Sequence, residues 1–364
     1  MNICIVGDGL TSLSLAKNLI NKKINVHIYQ KKNLHSLSFN RTIGITKNNL
    51  DFFNKEIITF PKKNIWKVKK IEIYSEKLKD DKILNFENKE SLFHMVKNDQ
   101  LYKMLNNKLL KNKLFKRIII KRDDFYQKLL NSNKYNLIIN CDANNFIAKK
   151  HFYKKIDKDY YNTAYTTIMK HERFENNTAV QVFTKFGPIA FLPISNTETS
   201  VICSLETKNN KYTKEEVLDL IKKHNQKFKI KKISELSSFK LKSSNLRNYY
   251  YKNVLAFGDA LHKIHPLAGQ GFNMTIRDIR IFSDIIKDKI DLGMQVDSLI
   301  LQEFEKKTRH MNFFFSNGVD FIYEIFNFNK KNKDKNFNEI LKLFGKNKKL
   351  NNTIIKFADN GLSL

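Results

Sequence analysis

The chain has 364 residues, 41% of them hydrophobic, with only 4 Pro and 11 Gly, so it can bury a sizeable core and is neither disordered nor fibrous by composition. Its 66 basic and 36 acidic residues leave a formal net charge of +30, carried by Lys scattered through every segment. With no Arg-rich run and no zinc-finger spacing, specific nucleic-acid recognition is excluded as an expectation, whereas attraction to an anionic membrane surface is compatible with the charge.

MNICIVGDGLTSLSLAKNLINKKINVHIYQ reads as strand, glycine turn, helix and strand. Ile3, Ile5 and Val6 form a short buried strand, and Leu13, Leu15, Ala16, Leu19 and Ile20 give the helix an apolar face. Between them Gly7 and Gly9, with Ser12 in place of a third glycine, form the turn that lets backbone N–H groups approach a pyrophosphate at a helix N-terminus. The acidic residue usual at the end of the second strand is here Gln30, whose amide can still bond a ribose hydroxyl. A doubly wound sheet that binds no dinucleotide is the plainer reading of the same stretch.

Farther on, TIMKHERFENNTAVQVFTKFGPIAFLPI alternates as sheet strands, with Gly187-Pro188 expected at a turn, and a helix is predicted over Lys214 to Lys229. YYKNVLAFGDALHKIHPLAGQGFNMTIRDIRIFSDII then holds a second glycine cluster. Val254 to Phe257 is a strand broken by Gly258, and Asp259 follows at its carboxyl end. After Pro266 a turn over Gly269, Gln270 and Gly271 opens a helix with Ile276, Ile279, Phe282, Ile285 and Ile286 on one face. The arrangement suits a ligand with a polyol for the carboxylate and an electron-rich end for the helix dipole. His262 and His265, three apart, invite a metal reading, but no further ligand stands in register, and turn-stabilising roles fit better. Asp278 fits a structural ion pair as well as a functional role.

The C-terminal LQEFEKKTRHMNFFFSNGVDFIYEIFNFN is amphipathic and rich in Phe, a core-packing helix or a greasy surface, and is followed by a Lys/Asn-rich tail. The three cysteines, Cys4, Cys141 and Cys203, are isolated and form no CxxC pair, as in a reduced, cytoplasmic protein without a metal site. No apolar run approaches the ~18 uncharged residues of a membrane-spanning helix.

G-D-A-x-H-x-x-x-P-x-x-G-Q-G-x-N-x-x-x-x-D, here Gly258 to Asp278, resembles the hallmark of the FAD-dependent aromatic hydroxylases, the group A flavoprotein monooxygenases, and His265 matches their ubiquinone-biosynthesis branch. The resemblance covers roughly residues 1 to 325. It implies an α/β fold: a Rossmann-like FAD-binding domain of the GR2 type over 1–67, 94–150 and 246–300. A substrate-side β-sheet domain (68–93 and 151–245) is inserted, and a helical extension fills 301–364. By resemblance, Asp259 bonds the ribityl chain, Pro266, Gly269, Gln270 and Gly271 lie against the isoalloxazine with Asn273 nearby, and the amides of Gly271 and Phe272 stabilise charge on the reduced flavin. Arg41 and Gln100 (with Asn98) contact FAD, and Asp142 keeps one position of a block in which Ala143, Phe146 and Lys149 replace the usual Gly, Ser and Arg. Phe183, Phe191, Pro193 and His265 are implied at the substrate cavity.

The activity implied is hydroxylation, with O2, of the aromatic ring of a polyprenylated phenol or benzoquinol in ubiquinone biosynthesis through a flavin 4a-hydroperoxide. Electrons would come from NAD(P)H or a reductase partner, and no catalytic side chain is required because the flavin carries the chemistry. A peripheral position at the inner face of the membrane, within a ubiquinone-biosynthesis complex, goes with that reading. Two alternatives share the fold: a flavin-dependent oxidoreductase acting on another substrate, and an FAD-degenerate accessory protein of the same complex, suggested by Ser12, Gln30 and Ala143. A single tryptophan, Trp66, disfavours a halogenase.

Overall fold

A computed structural model describes residues 1–31, 41–76, 82–122, 124–208, 210–225, 227–264 and 270–331, with the side chains of 322, 323 and 325–331 outside the description. In chain order the first elements are β1 (Asn2–Val6), α1 (Leu10–Asn21), β2 (Asn25–Lys31), β3 (Thr42–Thr46), α2 (Lys47–Glu56), β4 (Trp66–Val68), β5 (Lys70–Ser75), β6 (Lys82–Glu87) and β7 (Phe93–Lys97). Then come α3 (Asn98–Leu110), β8 (Phe115–Ile120), α4 (Phe125–Leu130), β9 (Leu137–Asn140), α5 (Phe146–His151), β10 (Lys155–His171), β11 (Thr178–Thr184), β12 (Gly187–Pro193) and β13 (Glu198–Glu206). The remainder is α6 (Lys214–Lys223), β14 (Ile230–Ile233), β15 (Ser237–Leu246), β16 (Tyr250–Tyr251), β17 (Val254–Ala256), β18 (His262–Lys263), α7 (Gln270–Asp291) and α8 (Ser298–Lys331).

The first sheet has the order β16-β17-β9-β1-β2-β8, parallel from β17 to β8. Its central strands read as unbroken apolar runs because both faces are covered: Ile3, Cys4, Ile5, Leu137, Ile138 and Ile139 are fully buried. The chain leaves β1 toward β2 on one side and has β9 on the other, so the order reverses at β1. In open α/β sheets a crevice opens beyond the carboxyl ends of the strands at such a reversal. Helix α7 packs on this sheet through Ile276, Ile279, Phe282, Ile285 and Ile286, and Phe282 meets Phe257 and Phe304 at ring separations of 5.9 and 5.5 Å.

The second sheet runs β18-β15-β10-β13-β12-β11-β5-β6, with β14 beside β10, and a small sheet β3-β7-β4 lies apart. The large sheet is covered on both faces. One face carries Ile189, Phe191, Val201 and Cys203 against Val217 and Ile221 of α6. The other packs Ala179 and Leu192 on Val68 and Met95 of the small sheet, and Thr42 of β3 donates its hydroxyl to Ser200 Oγ at 2.8 Å. Strand β4 runs across the expected 67/68 boundary, and β18 places part of 246–300 on the large sheet.

Two local expectations need correction. Helix α6 starts at Lys214 behind a Thr213–Glu216 capping box but ends at Lys223, not Lys229, because Asn225 Oδ1 accepts from Phe228 N at 2.8 Å and closes a turn. Gly187 and Pro188 open β12 instead of forming the turn, which falls on Lys185 and Phe186. Gly187 has φ +138°, and a Cβ there would stand 2.0 Å from the Ser204 carbonyl oxygen. Gly187→Ala is therefore expected to lower stability by about 3 kcal/mol or more in denaturant melts, from combined overpacking and backbone strain; an unchanged midpoint would contradict the close approach of β12 and β13.

Candidate functional site

At the carboxyl end of β1, Gly7 donates its N–H to the Tyr29 carbonyl at 2.8 Å and takes φ +107°, a conformation open to glycine. Gly9 caps α1, whose first turn carries no acidic residue, and a Cβ on Gly9 would meet no atom within 4 Å. The free amides of this helix end therefore face open space, the arrangement that binds a phosphate. Asp8 between the glycines is turned inward and buried, receiving a long hydrogen bond of 3.5 Å from the Tyr102 hydroxyl; burial and the Asp8 charge both raise the Tyr102 pKa.

The second glycine cluster meets the first. Phe257 donates its N–H to the Asn140 carbonyl at 2.8 Å, extending the β17–β9 pairing, and Gly258 then turns with φ +60°. A Cβ on Gly258 would lie 2.5 Å from Thr11 Cγ2, so only glycine lets this turn press against the first turn of α1. Asp259 follows, exposed on the same side. Behind it His262 Nε2 is hydrogen-bonded to the Asp278 carboxylate, both buried, and Asn312 Nδ2 donates to Asp278 Oδ1 at 3.3 Å. This pair fastens the turn to α7 and α8, and among the described residues no cluster of three metal-ligating side chains occurs.

The two turns share one cleft of about 460 Å³. Gly9, Leu10, Thr11 and Ser12 line one end, Asp259, Gly271 and Phe272 the middle, and Arg41, Phe239, Leu241 and Ile264 the far wall. Phe239 and Leu241 project from the large sheet beside Ala164 and Ile202, and Lys240, Lys242, His262 and Lys263 of the same strands line the cleft with them. The Arg41 guanidinium stands over the Phe239 ring, 4.3 Å from its centre; burial lowers its pKa and the Asp259 charge opposes the shift. Cys141 lines the cleft beside Ser12, and burial pushes its thiol up to about 12, so it stays protonated.

The sequence-predicted residues fall into four groups. Gly9, Ser12, Arg41, Asp259, Gly271 and Phe272 line the cleft, and Gly7 supports its turn. Gln30 stands at the carboxyl end of β2 and Gln270 opens α7. His265, Pro266 and Gly269 lie outside the described residues. The rest do not line this cleft. Gln100 is out of phase: the helical period puts Asn98 and Tyr102, four apart, on the cleft side of α3. Asp142 closes the turn after β9 by accepting from Asn144 N at 2.8 Å, and its neighbour Cys141 faces the cleft instead. The Asn273 side chain is consumed as a clamp, donating to the Gly44 carbonyl at 2.8 Å and accepting from Thr46 N at 3.0 Å and Asn49 Nδ2 at 3.2 Å.

The cavity residues divide by strand parity. Phe191 pairs with Val180 and Phe183 with Pro188, so Phe191 and Phe183 occupy opposite faces of the sheet. Phe191 stacks on Phe228 at 5.7 Å beneath α6, and Pro193 shares that face, away from the cleft. Phe183 is on the cleft-side face but not in the cleft wall. Sequence reasoning missed Phe239, Leu241 and Ile264, whose alternation with Lys240, Lys242 and Lys263 was the available signal.

FAD fits the residues present. Gln30 Oε1, Asn98 Oδ1 and Gln270 Oε1 are buried acceptors without a partner among the described residues, matching the hydroxyl and N–H donors that a ribose, a ribityl chain and a flavin ring carry. The open helix end fits the pyrophosphate. A family model described as FAD binding domain matches residues 156–287. The mitochondrial ubiquinone biosynthesis monooxygenase COQ6 of Dictyostelium discoideum is 25% identical over 241 residues, 52% of this chain and 49% of that protein. The chain is similar to FAD-dependent hydroxylases of the ubiquinone-biosynthesis type. Ubiquinone hydroxylase UbiM of Neisseria meningitidis is 22% identical over 345 residues, 84% of this chain and 73% of that protein. The matched stretch spans about half the length of the COQ6 relative. Among solved structures, p-nitrophenol 4-monooxygenase PnpA from Pseudomonas putida DLL-E4 superposes with a TM-score of 0.77 at 12% identity, covering 100% of this chain and 98% of that one, which shows the shared fold.

Gly258→Ala is expected to destabilise the flavoprotein by about 3 kcal/mol, part from the left-handed backbone and part from the Thr11 clash. Adding Thr11→Ala should recover the clash component in denaturant melts; no recovery would contradict the contact between the two turns.

Proposed function

We propose that this flavoprotein is a monooxygenase that hydroxylates the aromatic ring of a phenol or quinol carrying a polyprenyl chain. The observation that carries the proposal is the convergence of both glycine turns on one cleft that Phe239 and Leu241 of the large sheet also line. When bound, FAD supplies oxygen activation, and the protein's tasks are to bind, orient and exclude water.

The α1 amides beyond Gly9 would hold the pyrophosphate, and the Asp259 carboxylate would accept from ribityl hydroxyls. The N-terminal amides of α7 at Gly271 and Phe272 would face the electron-rich edge of the ring system, where negative charge is stabilised by the helix dipole. Phe239, Leu241 and Ile264 offer apolar contacts for an aromatic substrate, and Arg41 stacks over the Phe239 ring.

The accessory-protein reading is disfavoured by Asn98 Oδ1, a buried acceptor in the cleft lining with no partner among the described residues. The electron donor is proposed to be NAD(P)H or a reductase.

The FAD-loaded protein, given a prenylated phenol, NADH or NADPH (or a chemical reductant) and ¹⁸O2, should yield ring-hydroxylated product carrying one ¹⁸O by mass spectrometry. Oxygen consumption without labelled product would overturn the hydroxylase reading. Asp259→Ala should weaken FAD binding about tenfold or more; unchanged affinity would remove Asp259 from its role.

A further inference from the structure

Beyond the first glycine turn, strand β8 borders β2 at the edge of the parallel sheet, in the register Ile28–Arg117 and Gln30–Ile119. Arg117 therefore shares a sheet face with Gln30 and stands one step short of it. Helix α3 packs against β8, and Asn98, Tyr102 and Asn106 follow one another at intervals of four along it. Asn98 and Tyr102 line the cleft. A hydrogen bond joins Arg117 to the Tyr102 hydroxyl, which donates in turn to Asp8 Oδ2 between the glycines. The partly buried guanidinium lies over Phe115, its carbon 5.8 Å from the ring centre. Arg117 Nε and Nη2 are buried donors with no partner among the described residues, and Asn106 Oδ1 and Gln30 Oε1 are buried acceptors in the same condition. The arginines of α7 are engaged elsewhere: Arg277 stacks on Phe315, and Arg280 donates to the Asn48 carbonyl. With an amide at position 30, no strand-end carboxylate stands ready to neutralise Arg117.

We propose that Arg117 is the residue that holds the adenylate half of FAD, in place of the carboxylate absent at Gln30; the assignment rests on the FAD reading of the cleft. A dinucleotide with its pyrophosphate on the α1 amides and its flavin toward Asp259 and α7 runs its other half past the end of β2, toward β8. There the unused groups are of two kinds, N–H donors on Arg117 and amide oxygens on Gln30 and Asn106. An adenylate complements both. Its ring nitrogens and its ribose and phosphate oxygens accept hydrogen bonds, and its ribose hydroxyls and exocyclic amine donate them. A guanidinium presents its donors as a rigid planar fork, which an ammonium group does not. The bond to Tyr102 ties that fork to the phosphate turn through Asp8. Flavin mononucleotide lacks the adenylate half, so Arg117 also favours FAD over the shorter cofactor.

Calorimetric titration of full-length, flavin-free protein with ADP, and separately with FAD, reads binding without turnover. ADP carries the adenylate and no flavin. Arg117→Met should weaken ADP and FAD by the same factor, about tenfold or more, with the melting transition intact. Arg117→Lys should recover only part of that loss, because the charge returns without the fork. Unchanged ADP affinity in Arg117→Met, a loss confined to FAD, or full recovery by lysine would each overturn the assignment. So would wild-type protein that binds FAD but no ADP. Should Arg117→Met fail to fold, Arg117→Lys decides: a lowered ADP affinity supports the assignment and a wild-type affinity overturns it. FAD binding that persists unweakened without Arg117 removes this residue and leaves the cleft reading standing, whereas wild-type protein that binds no FAD removes both.

Discussion

Everything at the cleft depends on how close two backbone turns can come. Gly258 occupies a left-handed conformation against Thr11, where a Cβ would lie 2.5 Å from a methyl group. That missing atom brings the end of β17 to the start of α1 and puts Asp259 beside an open helix N-terminus. The parallel pairing of β1, β9 and β17 sets the two turns at the same sheet edge. The buried His262–Asp278–Asn312 bonds hold the second turn against α7 and α8. Local flexibility in one residue and rigid anchoring behind it produce a preorganised site.

Much of this was legible in the sequence because the signals are local. An apolar run, a glycine pair and a 3.6-residue apolar period mark β1, the turn and α1, and the same grammar repeats from Val254 onward. What was not legible were properties of packing. Phe183 and Phe191 sit on strands with both faces covered, so no polar alternation tells which face meets the cleft; the opposed helix α6 decides that Phe191 is core. Asn273 looks like a site residue next to glycines, yet its amide is bound to Gly44, Thr46 and Asn49, in one stretch more than 220 residues away in sequence. Gln100 lies out of helical phase with Asn98 and Tyr102, which line the cleft. Phe239, Leu241 and Ile264 alternate with lysines that mask them in a Lys-rich chain.

The composition that seemed uninformative takes on meaning only at particular places. Most lysines are solvated or in exposed ion pairs such as Lys128–Asp124 and Lys222–Asp219, which contribute little to stability. On α8, Lys307 and Arg309 pair with Glu303 and Glu305 one turn earlier. The inner side of α8, through Phe315 and Val319, forms part of the packing behind the cleft.

The central claim is that the two turns make one FAD site, and equilibrium titration of flavin-free protein with FAD, followed by visible absorption, tests it most directly. One FAD should bind per chain, saturably, with the flavin bands shifted and structured relative to the free cofactor. A spectrum that remains that of free FAD across the titration would contradict the account.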